Sequence, residues 1–271
     1  MEDHLKQFQL WEILLLAVVQ GITEFLPVSS SGHLVIVAAL LAPSGNTKDL
    51  DIVDINIVMH LGTLGSILIF YWRRIWNLLT EDRQIIPKLF VASLPAGVIA
   101  IPLKLWFDEI LESPLIAGAL LPMTGVILLW AARCKPGTQD YRTIGFGQAF
   151  TIGLAQAVAV MPGISRSGST IATGMRVGLA PQGAATFSFL MAIIVIGGAG
   201  LLEGLKLLKH PIAGSPPGHL LIGAIVSCIV GIGALWVLVR WLESGRFQIF
   251  AWWCICVGIG IVAWRLSIGG N

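Results

Sequence analysis

Of the 271 residues, 56% are hydrophobic and only 12% are charged, with a mean hydropathy of +0.84, whereas a soluble domain carries about 25% charged residues. That composition excludes a water-soluble enzyme and points to a polytopic membrane protein. The net charge of +2 is too small for a nucleic-acid partner. The opening segment MEDHLKQFQL is acidic and polar, and no small-residue cleavage site follows it, so the first apolar run is expected to be retained.

In chain order, the apolar run 10–26 ends in the polar PVSSSGH and is followed by a short run, 33–42. Three runs, 52–72, 85–105 and 115–132, each approach the roughly 20 residues a spanning helix needs. Residues 146–161 then repeat the first pattern, leading through PGISRSGST into the short run 171–179. Three further spans are predicted over 186–208, 220–242 and 249–266. Runs of about ten residues are too short to cross a bilayer. Irregular backbone is tolerated at membrane depth only where protein or a water-filled cavity surrounds it. The expected fold is therefore all-α and polytopic, with six spanning helices and two re-entrant helix–loop–helix pairs. The four cysteines, Cys134, Cys228, Cys254 and Cys256, lie in or beside apolar runs and read as small buried hydrophobes rather than disulfide or metal partners.

The two interrupted regions resemble each other. A shift of 136 residues brings Gln20 onto Gln156, Ser29 onto Ser165, Ser31 onto Ser167 and Gly32 onto Gly168, while Pro27 and Pro162 miss by one position. This predicts a single integral membrane domain, 1–271, built from two repeats of about 1–135 and 136–271 in inverted topology, the arrangement in which broken helices meet near the midplane. With six spans, one side holds Arg73, Arg74, Arg83, Lys88, Arg133, Lys135, Arg142, Arg240 and Arg246, and the other Lys6, Lys48, Lys104, Lys206, Lys209 and Arg265. The excess places the first side in the cytoplasm, both termini outside, and the first re-entrant pair on the outer face.

Glu24 is the acid of the first break and Arg166 the base of the second. Such residues in a membrane segment are functional by default, although the two could serve simply to pair the repeats. The glycines and serines of PGISRSGST precede a helix predicted to start near Ser169, and those of PVSSSGH precede one at His33. Small residues and helix N-termini expose backbone N–H groups to an anion, and a guanidinium fork matches phosphate oxygens. Gln20 and Glu24, four residues apart, share a helical face and offer a carbonyl and a carboxylate oxygen to a hard divalent cation. Ser29, Ser30 and Ser31 supply hydroxyls beside His33, a nucleophile-and-base constellation, with at least one serine expected to cap the following helix. His60, inside a span, is open between lining the site and packing.

QGITEFLPVSSSGH resembles the (E/Q)xxxE-plus-PVSSxGH signature of the undecaprenyl-diphosphate phosphatases, also called bacitracin-resistance proteins, and PGISRSGST resembles their PGxSRSxxT. FSFLMAI at 187–193 extends the likeness over nearly the whole chain. Many members carry Glu where this chain has Gln20. The resemblance implies a hydrolase of the bacterial inner (plasma) membrane that converts undecaprenyl diphosphate to undecaprenyl phosphate and inorganic phosphate. It also implies a divalent cation, Mg²⁺ or Ca²⁺, with Gln20 and Glu24 in the metal and acid–base group. By position, Ser29, Ser30, His33, Ser165, Arg166, Ser167 and Thr170 form the phosphate site, with Ser31, Gly32, Gly163 and Gly168 lining it. Ser30 is expected as nucleophile, assisted by His33, with Arg166 clamping the transferred phosphoryl group; His33 itself or a metal-bound water are the alternatives. The implied partners are undecaprenyl diphosphate and membrane lipid, and a homo-oligomer is left open. A lipid-carrier flippase is the rival reading, since inverted repeats with broken helices also suit transport. Transport needs no Ser–His pair.

Overall fold

The computed structural model describes residues 8–42, 52–133, 135, 137–209 and 216–267. Lys6, Lys48 and Cys134 lie outside them, as do the side chains of Lys104, Lys206 and Lys209. The described chain is helical, with no strand: α1 Leu10–Phe25, α2 Ser30–Leu41, α3 Ile52–Phe70, α4 Trp72–Leu79, α5 Ile86–Trp106, α6 Asp108–Leu111, α7 Pro114–Arg133, α8 Phe146–Val158, α9 Arg166–Arg176, α10 Pro181–Lys209, α11 Pro217–Glu243 and α12 Gln248–Ser267.

Five of these helices, α5, α7, α10, α11 and α12, are long and apolar enough to cross a membrane, and α3 taken with α4 makes a sixth. They correspond to the six expected spans, with one correction. The run 52–72 does not end as a straight span: the helix breaks at Tyr71, and α4 leaves it at 75°. The sequence of α4, WRRIWNLL, explains the turn. Trp72, Trp76 and Leu79 lie exposed on one face, and Arg73 and Arg74 belong to the polar side. Such a helix is stable lying in the interface and costly to drive into hydrocarbon.

The two halves are interleaved rather than side by side. α1 packs on α11 and α8 on α5; α3 packs on α11 and α10 on α5; α7 packs on α12. Exchanging the halves turns each of these pairs into another or into itself. Without a hydrophobic drive between helices in lipid, close approach depends on small residues. A Cβ on Gly21 of α1 would stand 2.9 Å from the Ser227 carbonyl oxygen of α11, and one on Gly153 of α8 would be driven into the Ala92 carbonyl of α5. The interleaving delivers the two short helix pairs, α1–α2 and α8–α9, to the middle of the bundle, where α7 touches both α2 and α9.

At one end of the molecule, Asp82 accepts from Arg142 Nε at 3.0 Å and from the Tyr141 hydroxyl at 3.4 Å. Arg74 lies over the Tyr141 ring. Cys228, Cys254 and Cys256 are free thiols. Cys254 is buried as expected, Cys228 is half-buried, and Cys256 is exposed on α12.

Candidate active site

Each short helix begins at a serine cap. Ser29 Oγ accepts from Gly32 N at 3.3 Å, and Ser165 Oγ accepts from Gly168 N at 3.0 Å. The caps start α2 at Ser30 and α9 at Arg166, three residues earlier than the expected starts at His33 and Ser169. A serine side chain reaches the backbone N–H three residues on, so the caps sit upstream of where apolar periodicity begins. The correction matters: Ser30 and Arg166, related by the shift of 136, both occupy the first position of a helix.

The two turns touch. Gly163 N donates to Ser29 Oγ at 3.1 Å, and Ser167 Oγ donates to the Leu26 carbonyl at 3.2 Å. Ser29 holds φ +70°, the one positive value at a non-glycine among the described residues, and Gly163 holds +90°. A Cβ on Gly32 would lie 3.0 Å from Gly163 Cα and N, so the contact is backbone against backbone. Strained positions of this kind persist where the surroundings over-determine them, and here Thr124 does so. It donates to the Gly163 carbonyl at 2.7 Å and accepts from Ser165 N at 2.9 Å. Sequence reasoning missed Thr124; its signal was a lone hydroxyl inside the apolar span 115–132.

The contact of the turns assembles a polar group around Glu24, which is 6% exposed. Arg166 Nη2 reaches Glu24 Oε1 at 2.5 Å. Glu24 Oε2 accepts from Ser30 Oγ at 2.6 Å and Gln20 Nε2 at 3.0 Å, and His60 Nε2 lies 3.6 Å from it. His60, left open above, therefore lines the site, its Nδ1 engaged with the Asn56 carbonyl at 2.7 Å. A buried ion pair survives desolvation only when further hydrogen bonds satisfy both partners, and Glu24 meets that condition. Arg166 meets it only in part. Its Nη1 is buried without a partner, as are Gln20 Oε1, Ser169 Oγ and both amide atoms of Gln156, the residue that the shift of 136 brings onto Gln20. Unsatisfied buried polar atoms are few in native structures, and these surround the meeting turns.

The expected Ser30–His33 pair is not formed. His33 Nδ1 lies 2.9 Å from the Ser29 carbonyl, and His33 Nε2 lies 3.0 Å from Trp253 Nε1. The rings of His33 and Trp253 meet edge to edge through this bond, their centroids 6.3 Å apart and their planes 11° from parallel. An indole N–H only donates and a carbonyl only accepts, so the ring carries its proton on Nδ1 and both nitrogens are committed. The bond to the carbonyl four residues back turns His33 toward α12 and away from the Ser30 hydroxyl. The group that Ser30 meets is Glu24.

The remaining residues divide between the site and its frame. Ser31 Oγ lies 3.4 Å from Ser29 Oγ, and Ser165 Oγ lies 3.2 Å from Ser167 Oγ. Thr170 bonds the Arg166 carbonyl at 2.8 Å and Ser188 Oγ at 2.6 Å, so it fastens α9 to α10 and does not face Glu24. Gly168 lies against Ser165 and Pro27, where a Cβ would come within 3.2 Å. Among the described residues there is no cluster of three or more His, Cys, Asp or Glu side chains that could hold a metal. The oxygens available to a cation are the Glu24 carboxylate and the orphaned Gln20 Oε1.

The sequence profile described as "Bacitracin resistance protein BacA" matches residues 13–260. A relative from Rhodopirellula baltica, named undecaprenyl-diphosphatase, is 47% identical over 259 residues, covering 95% of this chain and 99% of its own. Proteins of the same name from Desulforudis audaxviator and Salinibacter ruber are each 36% identical, over 96% and 94% of this chain and 99% of theirs. With its two sequence signatures folded into one buried site and relatives alike along almost their full length, the chain belongs to the bacitracin resistance protein BacA family.

Proposed function

We propose that this chain hydrolyses undecaprenyl diphosphate to undecaprenyl phosphate and inorganic phosphate in the bacterial plasma membrane, and that Glu24, Ser30 and Arg166 carry the reaction. The observation that supports it most is the line Ser30–Glu24–Arg166: a hydroxyl donating to a buried carboxylate, which is held in turn by a guanidinium with one buried NH₂ unpaired. Glu24 takes the Ser30 proton as Ser30 Oγ attacks the terminal phosphorus. The bond from phosphorus to the bridging oxygen breaks, and undecaprenyl phosphate leaves. Glu24 passes the Ser30 proton to the departing undecaprenyl phosphate; it then accepts a proton from the water that attacks the phosphoserine and returns it to Ser30 Oγ as the bond from phosphorus to Oγ breaks and inorganic phosphate is released. Arg166 exchanges its ion pair with Glu24 for the phosphoryl oxygens, where charge develops and a planar fork follows it. His33, held in one tautomer by Trp253, orients the start of α2 and so the attacking hydroxyl.

Gln20 Oε1, buried and unpartnered beside Glu24, fits a hard cation held by one carboxylate and substrate phosphates. Gln20 and Glu24 would hold such an ion, Mg²⁺ or Ca²⁺, which when bound offsets phosphate charge. The halves, about 1–135 and 136–271, lie in inverted topology, with both termini and the opening of the site on the outer side. A flippase needs no hydroxyl–carboxylate pair, and the arrangement around Ser30 favours bond cleavage.

Phosphate release from a polyprenyl diphosphate, measured in detergent where no two-sided membrane exists, tests the proposal. Wild-type protein should release one phosphate per substrate molecule, and Glu24→Gln should release none above background. Near wild-type release by Glu24→Gln would overturn it.

A further inference from the structure

A second polar pocket lies at the bend between α3 and α4. It has a volume of about 410 Å³, and its lining includes Tyr71, Arg73, Arg74, Gln182, Thr186 and Val239. It is not part of the Glu24 site. None of the residues around Glu24 lines it, and the ring contacts Phe25–Phe189, edge to face at 5.6 Å, and Phe189–Tyr71, tilted at 5.8 Å, lead from the residue after Glu24 to the pocket wall. Every polar side chain lining it can donate a hydrogen bond, and no carboxylate lines it. Neither Arg73 nor Arg74 forms an ion pair with a carboxylate among the described residues. Each lies instead over an aromatic ring, Arg73 over Trp72 at 5.3 Å and Arg74 over Tyr141 at 6.0 Å. A guanidinium lying over a ring face keeps its in-plane N–H donors available. Both arginines occupy the first turn of α4, where the helix dipole adds to their pull on an anion.

Next to this pocket is a second one, of about 440 Å³, lined by Ala131, Met175, Leu242 and Phe247 among others. Gln182 lines both, and it donates to Glu243, whose carboxylate belongs to the lining of the second pocket and not of the first. The polar chamber therefore adjoins a largely apolar one. Trp72 and Trp76, 59% and 63% exposed on α4, mark the level of lipid headgroups, where tryptophan is enriched.

The geometry points to a second phosphate-recognising site, in which Arg73 and Arg74 bind a phosphate monoester and the adjoining apolar chamber takes the first part of a hydrocarbon chain attached to it. The ligand class is a lipid monophosphate. The same donors would also take free inorganic phosphate, and the two sources differ only in the use of the apolar chamber.

Equilibrium binding of farnesyl phosphate to the full-length protein in detergent, with stoichiometry read by native mass spectrometry, tests the proposal without requiring turnover. Both arginines are exposed, so substituting them leaves the packing intact. Arg73→Gln/Arg74→Gln should lose one bound equivalent, or weaken it at least tenfold. Arg166→Gln should keep that equivalent, whatever the Glu24 site binds. Inorganic phosphate competing only at concentrations at least tenfold above farnesyl phosphate would assign the site to a lipid monophosphate. Equal competition would assign it to the free ion and remove the role given to the apolar chamber. Unchanged stoichiometry and affinity in the double variant, or equal binding of uncharged farnesol, would overturn the proposal.

Discussion

At the scale of single residues, the site turns on how one carboxylate is shared. Glu24 holds Arg166, Ser30 and Gln20 at hydrogen-bond distance, so each substitution there leaves another buried group unpaired. Lysine in place of Arg166 keeps the charge but loses the planar fork. We predict that Arg166→Lys lowers kcat by at least about 10²-fold, the scale of one preorganised donor. Arg176→Lys should stay within a few-fold, because Arg176 ends α9 and lies over Trp130. Equally small effects of both on phosphate release would make Arg166 a structural residue. Trp253→Phe removes the donor to His33 Nε2 and keeps an aromatic ring. A neutral hydrogen bond contributes about 1 kcal/mol, so kcat should fall about fivefold. A rise in kcat would mean that the indole restrains His33 from acting as a base on Ser30. Thr124 shows what a residue view of the sequence leaves out: in the chain it is one hydroxyl in an apolar span, and only folding brings it to Gly163 and Ser165.

At the scale of elements, the caps and close contacts determine where the chemistry falls. The serine at each cap brings the helix start forward by a turn, placing Ser30 and Arg166 at first helical positions. Apolar periodicity alone cannot place that boundary, because the capped turn is polar. The bend at Tyr71 has the same origin, in charged and aromatic residues that belong at an interface. The α5–α8 pair depends on Gly153, whose hydrogen atom lies against the Ala92 carbonyl. Gly153→Val should separate the two helices and lower stability by about 1–3 kcal/mol, the cost of overpacking, seen as a lower thermal midpoint in detergent. An unchanged midpoint would show that this contact is not tightly packed.

At the scale of the whole molecule, the interleaving of the halves brings Glu24 and Arg166, 142 residues apart in the chain, into one ion pair. The excess of Lys and Arg on one side of the spans makes a prediction about sidedness. Single cysteines at Asp49, which lies outside the described residues, and at Gln139, in a protein lacking its four native cysteines, should react oppositely with an impermeant thiol reagent in intact cells: Asp49→Cys labelled, Gln139→Cys protected. Labelling of Gln139→Cys alone would invert the orientation. The sequence by itself determined the membrane class, the six spans and the two interrupted regions, because hydrocarbon tolerates few polar residues and their positions read directly as breaks. It also singled out Glu24 and Arg166, since a charge at membrane depth is too costly to be incidental. Which groups face one another was decided only by the tertiary structure. His33 and Ser30 lie three residues apart and read as a pair, yet Trp253, 220 positions away in the chain, holds His33 and leaves Glu24 to hold Ser30. Hydrogen-bond partners follow from where helix packing points each side chain, and contacts between the interleaved halves depend on backbone approach that no local pattern records.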